Sequence, residues 1–304
     1  MNKSLKSGVN TKRTDPTAWK IESVHDAFRT LEGDGFEVRR AIPASAYEAV
    51  GPFIFLDHFG PIDVKPGEAK GASSHPHAGI ETLTLLLEGI SWHKDSLGNV
   101  SSMRPGEVQW LRAGRGVIHD ESPDDEMRRK GGRFHGVQLW INMPKAHKHD
   151  EPTYRHIKTS AIPVLQSADG KSRTRLVAGR VGEQGGPVVT TGAPFVAHST
   201  LLPGGSLSLR PENVEELAVY VMVGSITIDG RTVGAGQLAR LYAGGEFRAG
   251  ATANAEIIIV GGDPLDAPIH RYGPFVMNST ADLEKAVRDF QSGRMGFLKP
   301  TRAA

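Results

Sequence analysis

The chain has 304 residues, 38% of them apolar and 23% charged, the balance of a soluble globular protein long enough for two domains. A formal net charge of +2 gives no electrostatic case for direct nucleic-acid contact or for an acidic membrane surface. With no cysteine, disulfides, thiolate metal sites and thiol catalysis are excluded, and a reducing compartment fits.

The stretch up to about Lys20 is polar, carries Lys3, Lys6, Lys12 and Arg13, and reads as a flexible tail. It lacks the apolar segment of a secretory signal. No later apolar run approaches the roughly 18 residues of a membrane span. The chain therefore reads as soluble and cytoplasmic. Glycine (36) and proline (19) interrupt short apolar runs throughout, the pattern of an all-β protein with many turns.

In chain order, residues 36–41 alternate like a first strand, and Pro52–Leu56 is an apolar second strand that ends at a turn over Asp57–Pro61. Residues 62–74 read as a loop. His75–Gly89 then reads as one buried strand with two histidines at its head. A hairpin turn is expected over Asp95–Asn99 and a strand over Val108–Leu111. A glycine-flexed approach, Ala113–Gly116, leads into Val117–Glu121. Residues 122–132 look like a charged loop, Val137–Asn142 like a strand, and 145–160 like a linker between halves.

The second half repeats the texture, with strand-like runs that include Arg175–Ala178, Val188–Thr191, Glu216–Val223 and Glu256–Val260. Leu217–Gly224 followed by Ile226–Gly230 repeats the rhythm of Ile80–Gly89, without its histidines. This half is expected to bind no metal. A helix closes the chain, with Ser279 or Thr280 as its cap and Leu283, Val287 and Phe290 on one face.

Spacing isolates a candidate site. In a strand, residues i and i+2 point to one side, so His75 and His77 can reach a single point. His119 and Glu121 form a second such pair downstream. Three imidazoles and a carboxylate suit a divalent Fe, Mn, Co, Ni, Cu or Zn ion. On an octahedral metal they leave two positions open, which on iron would accept substrate and dioxygen side by side. Glu81 shares the parity of His75 and His77 and could ligate, orient a histidine, or serve as a base.

Other histidines carry weaker cues. His58 follows Asp57 at the expected turn and could sit at a pocket rim or be structural; His93 and His135 read as satisfied surface or core groups. His147-Lys-His149 has the same two-residue spacing but no apolar strand around it, and His198 and His270 stand alone. The Gly-Gly pairs are not followed by the helix of a phosphate loop, and no Gly-x-Ser-x-Gly elbow is present.

The segments HPHAGIETLTLLLEG (His75–Gly89), PGEVQWLRAGRGVIHDE (Pro105–Glu121), VQLWINMP (Val137–Pro144) and YGPFVMN (Tyr272–Asn278) together resemble the pirin family of the cupin superfamily. The resemblance runs from about residue 30 to about 297. It implies an all-β bicupin: two double-stranded β-helix (jelly-roll) barrels with a short C-terminal helix that lies back toward the first barrel. The expected division is a tail over 1–20, a metal-binding barrel over 21–150, and a barrel without ligands plus the helix over 151–304. The resemblance also implies one Fe(II) held by the residues matching His75, His77, His119 and Glu121. In most cupins the glutamate of the first motif, here Glu81, is the ligand, whereas the His-Asp-Glu run favours the pirin manner with Glu121.

Family activity divides. Bacterial pirins resemble quercetin 2,3-dioxygenases, which implies a flavonol-like substrate and dioxygen; Glu121, a ligand on a flexible side chain, is the candidate to take the substrate hydroxyl proton. The alternative is a non-catalytic iron-binding regulator acting through a protein partner, and a weaker third reading is a small-molecule isomerase.

Overall fold

The structure, a computed structural model, describes residues 18–266 and 269–299. The expected tail falls, as far as residue 17, outside the described residues. Among the described residues strand predominates, and the two α-helices are short. Each half pairs a seven-stranded antiparallel sheet with a four-stranded one, giving the two cupin barrels. Among the described residues no helix is long and apolar enough to cross a membrane.

The large sheets explain the long apolar runs. In Glu216–Val223, Leu217, Val219 and Val221 fill the second barrel, while Ala218, Tyr220 and Met222 pack against Leu83, Leu85, Val137 and Leu139 of the first. Both faces are buried, so the hydrophobic pattern is continuous rather than alternating. The small sheet of the second barrel has one wet face, and Gly205–Leu209 alternates buried and exposed accordingly.

The first barrel spends its apolar face differently. Leu83 and Leu85 on Ile80–Glu88, and Val137, Leu139 and Ile141 on Gly132–Asn142, all point into the seam between barrels. The alternate residues Thr84, Gln138 and Trp140 therefore face inward and line a cavity.

Sheet membership does not follow divisions at residues 21 and 151. Lys20–Asp26 pairs with Gln237–Tyr242 of the second barrel, and Trp19 and Ile21 enter that barrel's core. Thr153–Ile157, inside the expected linker, pairs with Val108–Arg112 of the first barrel. Each barrel is thus completed by a strand from the other side of its expected boundary.

Four further expectations give way locally. The turn expected at Asp57–Pro61 lies within the strand Phe53–Val64, because Gly132–Asn142 pairs along its length. The charged segment 122–132 contains the helix Asp125–Lys130, whose Asp124 cap accepts from the Met127 backbone N–H. Val188–Thr191 is a loop with a single bridge from Val188 to Ala178. His75–Gly89 is not one strand: Ala72–His77 belongs to the small sheet and Ile80–Glu88 to the large one.

The break comes at Gly79, with φ +75°. A Cβ there would lie 1.9 Å from the Val276 carbonyl oxygen, so only glycine fits. The hairpin His270–Met277 lies against this turn, with the Val276 N–H donating to the Ala78 carbonyl at 3.0 Å. The helix Thr280–Gln291 follows, capped by Ser279. It packs Leu283, Ala286 and Val287 with Ala78 and Ile118, so the C-terminus does return to the first barrel.

Candidate metal centre

The small sheet of the first barrel aligns the histidines. Ala72–His77 and Val117–Pro123 pair so that His119 stands opposite His75 and Val117 opposite His77. His75 and His119 are direct cross-strand neighbours on one face, and His77 joins them two residues on. The Nε2 atoms of His75 and His77 are 3.1 Å apart, and those of His75 and His119 are 3.0 Å apart.

Two of the rings have their other nitrogen fixed. His75 Nδ1 lies 2.8 Å from the Ser73 carbonyl oxygen and His77 Nδ1 lies 3.3 Å from that of Pro274. A carbonyl only accepts, so Nδ1 carries the proton and Nε2 is a bare lone pair. Burial and the neighbouring imidazoles push His77 and His119 well below the ordinary histidine range, which keeps both neutral. Lone pairs this close repel unless a cation accepts them. An all-nitrogen triad without thiolate fits a first-row divalent ion, so the cluster could hold one.

Glu121 stands beside this triad. A bulge follows His119 and aligns Glu121 with Ala72. Its carboxylate accepts from Thr84 Oγ1 at 3.2 Å and from Gln138 Nε2 at 2.5 Å. His93, His119 and Glu121 each bring one ligand atom within 4.8 Å of the other two, and His75, His77 and His119 form a separate set by the same measure.

With His119 buried behind them, His75, His77 and Glu121 line a cavity of about 630 Å³. Aromatic side chains, among them Phe36, Phe55, Phe59, Phe134 and Trp140, form much of its wall. Arg40 and Arg271 both lie over the Phe55 ring, at 4.2 and 4.9 Å from its centre. Asp57 holds Arg40 through two bonds, of 2.7 and 2.5 Å. Arg271 has no carboxylate partner among the described residues.

The pirin family signature matches residues 35–141, and that of the pirin C-terminal cupin domain matches residues 196–296. A Pseudomonas aeruginosa protein provisionally named a quercetin 2,3-dioxygenase is 34% identical over 272 residues, spanning 88% of this chain and 95% of its own. A pirin-like protein of Caulobacter vibrioides is 35% identical, over 90% of this chain and 94% of its own. The chain belongs to the pirin family. The crystal structure of a quercetin 2,3-dioxygenase from Acinetobacter baumannii superposes on this pirin with a TM-score of 0.86 at 32% identity, covering 93% of this chain and all (100%) of that one.

Glu81, the general-cupin alternative, points away from the cluster in this pirin. It is fully buried and accepts from Trp110 Nε1 at 2.8 Å and from the Thr191 backbone and hydroxyl at 3.0 and 2.8 Å. Burial raises its pKa, and these bonds with the nearby Arg112 oppose the rise. Thr191 comes from the second half, so Glu81 ties the barrels together. Its shared parity with His75 and His77 carries no information, because the Gly79 turn starts a new strand with its own register.

The other histidines divide cleanly. His58 is buried in the seam, 3.1 Å from Tyr220 Oη and 2.9 Å from His135 Nε2. His198 bonds Glu256 at 2.8 Å. His147 and His149 turn to Asp150 and Asp282, and Lys148 between them is buried against the Gly79 and Val276 carbonyls.

Sequence reading missed Ser73 and Pro274, which act through backbone carbonyls and leave no residue-type signal. It passed over Thr84 and Gln138, whose inward parity depends on which sheet face meets the other barrel. It also passed over His93, which is buried with Asp95 two residues on, the same spacing that singled out the other pairs.

Proposed function

We propose that this pirin is a cytoplasmic, iron(II)-dependent dioxygenase that opens flavonols such as quercetin with dioxygen. The observation that carries the reading is the convergence of three histidine Nε2 atoms at one end of an aromatic-walled cavity. The activity names of the relatives point the same way. His75, His77 and His119 would hold the ion, with Glu121 as the fourth donor. Manganese, cobalt, nickel, copper or zinc would suit the same donors. When bound, the ion supplies Lewis acidity and, as iron, one-electron chemistry with dioxygen.

The remaining roles fall to the chain itself. The aromatic wall stacks a flat substrate and keeps water from its ring. Glu121 takes the proton of the substrate hydroxyl through one oxygen, while Gln138 and Thr84 hold the carboxylate in line. Arg40, neutralised by Asp57, stiffens the Phe55 face.

Anaerobic reconstitution followed by oxygen uptake with quercetin tests the proposal. Uptake with iron is the expected result. No uptake with iron, manganese, cobalt, nickel or copper would sink it. A Glu121→Gln chain that keeps both its metal and its full rate would remove the proton-acceptor role alone.

A further inference from the structure

One imidazole of the triad lacks the partner the other two have. His75 and His77 fix their Nδ1–H groups on carbonyls. His119 is fully buried, yet its Nδ1 has no hydrogen-bond partner. A histidine that offers Nε2 to a metal must carry its proton on Nδ1, and that proton needs an acceptor. The ring of His93 stands 5.6 Å away, centre to centre.

His93 is buried as well, and its own Nδ1 is also unpartnered. Its Nε2 lies 3.1 Å from Asp95 Oδ2. A carboxylate accepts, so Nε2 carries the proton and Nδ1 is left as an acceptor. The ring is locked by stacking on Tyr154, at 4.0 Å and 6° between planes. Asp95 is held in turn by Leu97 N, Asn99 N and the Asn99 amide. The sheet register supports the arrangement, since His93 stands opposite Glu121 and Asp95 opposite His119.

His93, His119 and Glu121 each bring a ring nitrogen or a carboxylate oxygen within 4.8 Å of the other two. Groups no farther apart than that can share a single water at hydrogen-bond length, about 2.8 Å from each. We infer that His93 is a positioning residue for His119: one water accepts the His119 Nδ1–H and donates to His93 Nδ1 and to the Glu121 carboxylate. The water then has three partners, the usual number for a buried one. Asp95, His93 and the water form a relay that sets the tautomer and tilt of His119, and the same water ties Glu121 to the triad.

The inference rests on the reading that the triad binds a metal. Its test is therefore metal binding rather than turnover, with cobalt(II) as the probe and a chromophoric chelator as competitor. His93→Phe keeps the stacking on Tyr154 and removes the acceptor. Its expected cobalt affinity is about 10–100-fold weaker than the parent's, the usual cost of losing such a partner. His93→Gln reaches toward Asp95 but leaves the Nδ1 position empty, so it serves equally if the Phe chain does not fold. His93→Asn puts an amide oxygen near the Nδ1 position and recovers part of the affinity.

Proton NMR of the cobalt-loaded parent should show three slowly exchanging imidazole N–H signals strongly shifted by the metal, one from each histidine of the triad. His93→Phe should lose one to fast exchange, which a merely structural role for His93 would not cause. Parent and Phe chains that bind cobalt equally would overturn the inference alone. A parent that takes up no cobalt would overturn the metal reading and the inference with it. Two cobalt equivalents per chain would also overturn it, because the His93–His119–Glu121 position would then be a cation site.

Discussion

The two barrels share one architecture and have opposite interiors. In the second, inward residues such as Phe195, Leu217, Val219, Ile257 and Ile259 form a buried apolar core. In the first, Thr84, Gln138, Glu121, His75 and His77 line a cavity of about 630 Å³. The first barrel turns its leucine and valine face outward to the seam, where the second barrel covers it. The packed barrel thus supplies the hydrophobic surface that allows its neighbour to be hollow and polar inside. A lone barrel with a polar interior would have little apolar surface left to bury.

The largest expected effect comes from removing the histidine that most distinguishes the hollow barrel. His77→Ala deletes one of the three converging nitrogens and leaves the fold in place, because the second barrel and the seam do not depend on it. Metal affinity should fall well beyond the roughly 100-fold that loss of an outer partner costs. Elemental analysis of purified parent and variant checks this. A variant that keeps its full metal complement would break the assignment of function to the first barrel.

Glu81→Ala should affect the seam and not the metal. It leaves Trp110 Nε1 buried without an acceptor and takes the acceptor from the half-buried Thr191 N–H, at a cost of about 1–3 kcal/mol. Urea denaturation of the metal-free chains would read that loss, and the metal content should not change. A variant that lost its metal before its stability would return Glu81 to the site.

The contrast between Glu81 and Glu121 shows how much was legible in the sequence. The class of fold followed from the density of Gly and Pro between apolar runs, and the histidine pairs from strand parity within single strands. Parity failed across Gly79, where a positive-φ turn moves the chain from one sheet to the other. It also could not say that Leu83 faces a second barrel rather than an interior, because that depends on a core shared with residues more than 100 positions away, such as Tyr220. The exchange of Lys20–Asp26 and Thr153–Ile157 between halves was hidden for the same reason. The orienting carbonyls of Ser73 and Pro274 were invisible in principle, since every residue has one.

A double change, Thr84→Val with Gln138→Leu, would make the first barrel's interior more like the second's. It removes both bonds to Glu121 while leaving the triad intact. Metal affinity should fall by about 10–100-fold, with oxygen uptake falling at least as far. The thermal midpoint should not drop, since apolar residues replace polar ones against the cavity wall. An unchanged affinity would mean that Glu121 needs no support, and that the polar interior serves substrate rather than the carboxylate.

The smallest effect is silent at neutral pH and concerns the seam alone. Burial, with His135 and Arg39 nearby, pushes His58 from 6.5 down to about 3. In the unfolded chain His58 titrates near its ordinary value, so between about pH 6.5 and 3 the unfolded state holds the extra proton. Stability therefore falls as pH drops through that window, and nothing is lost above it. His58→Gln should flatten this part of the curve of stability against pH for the metal-free protein. It should leave untouched any acid dependence that comes from the triad, which titrates in the other barrel wall. If the slope survives in the His58 variant, the acid sensitivity of this protein belongs to the hollow barrel and not to the surface where the two barrels meet.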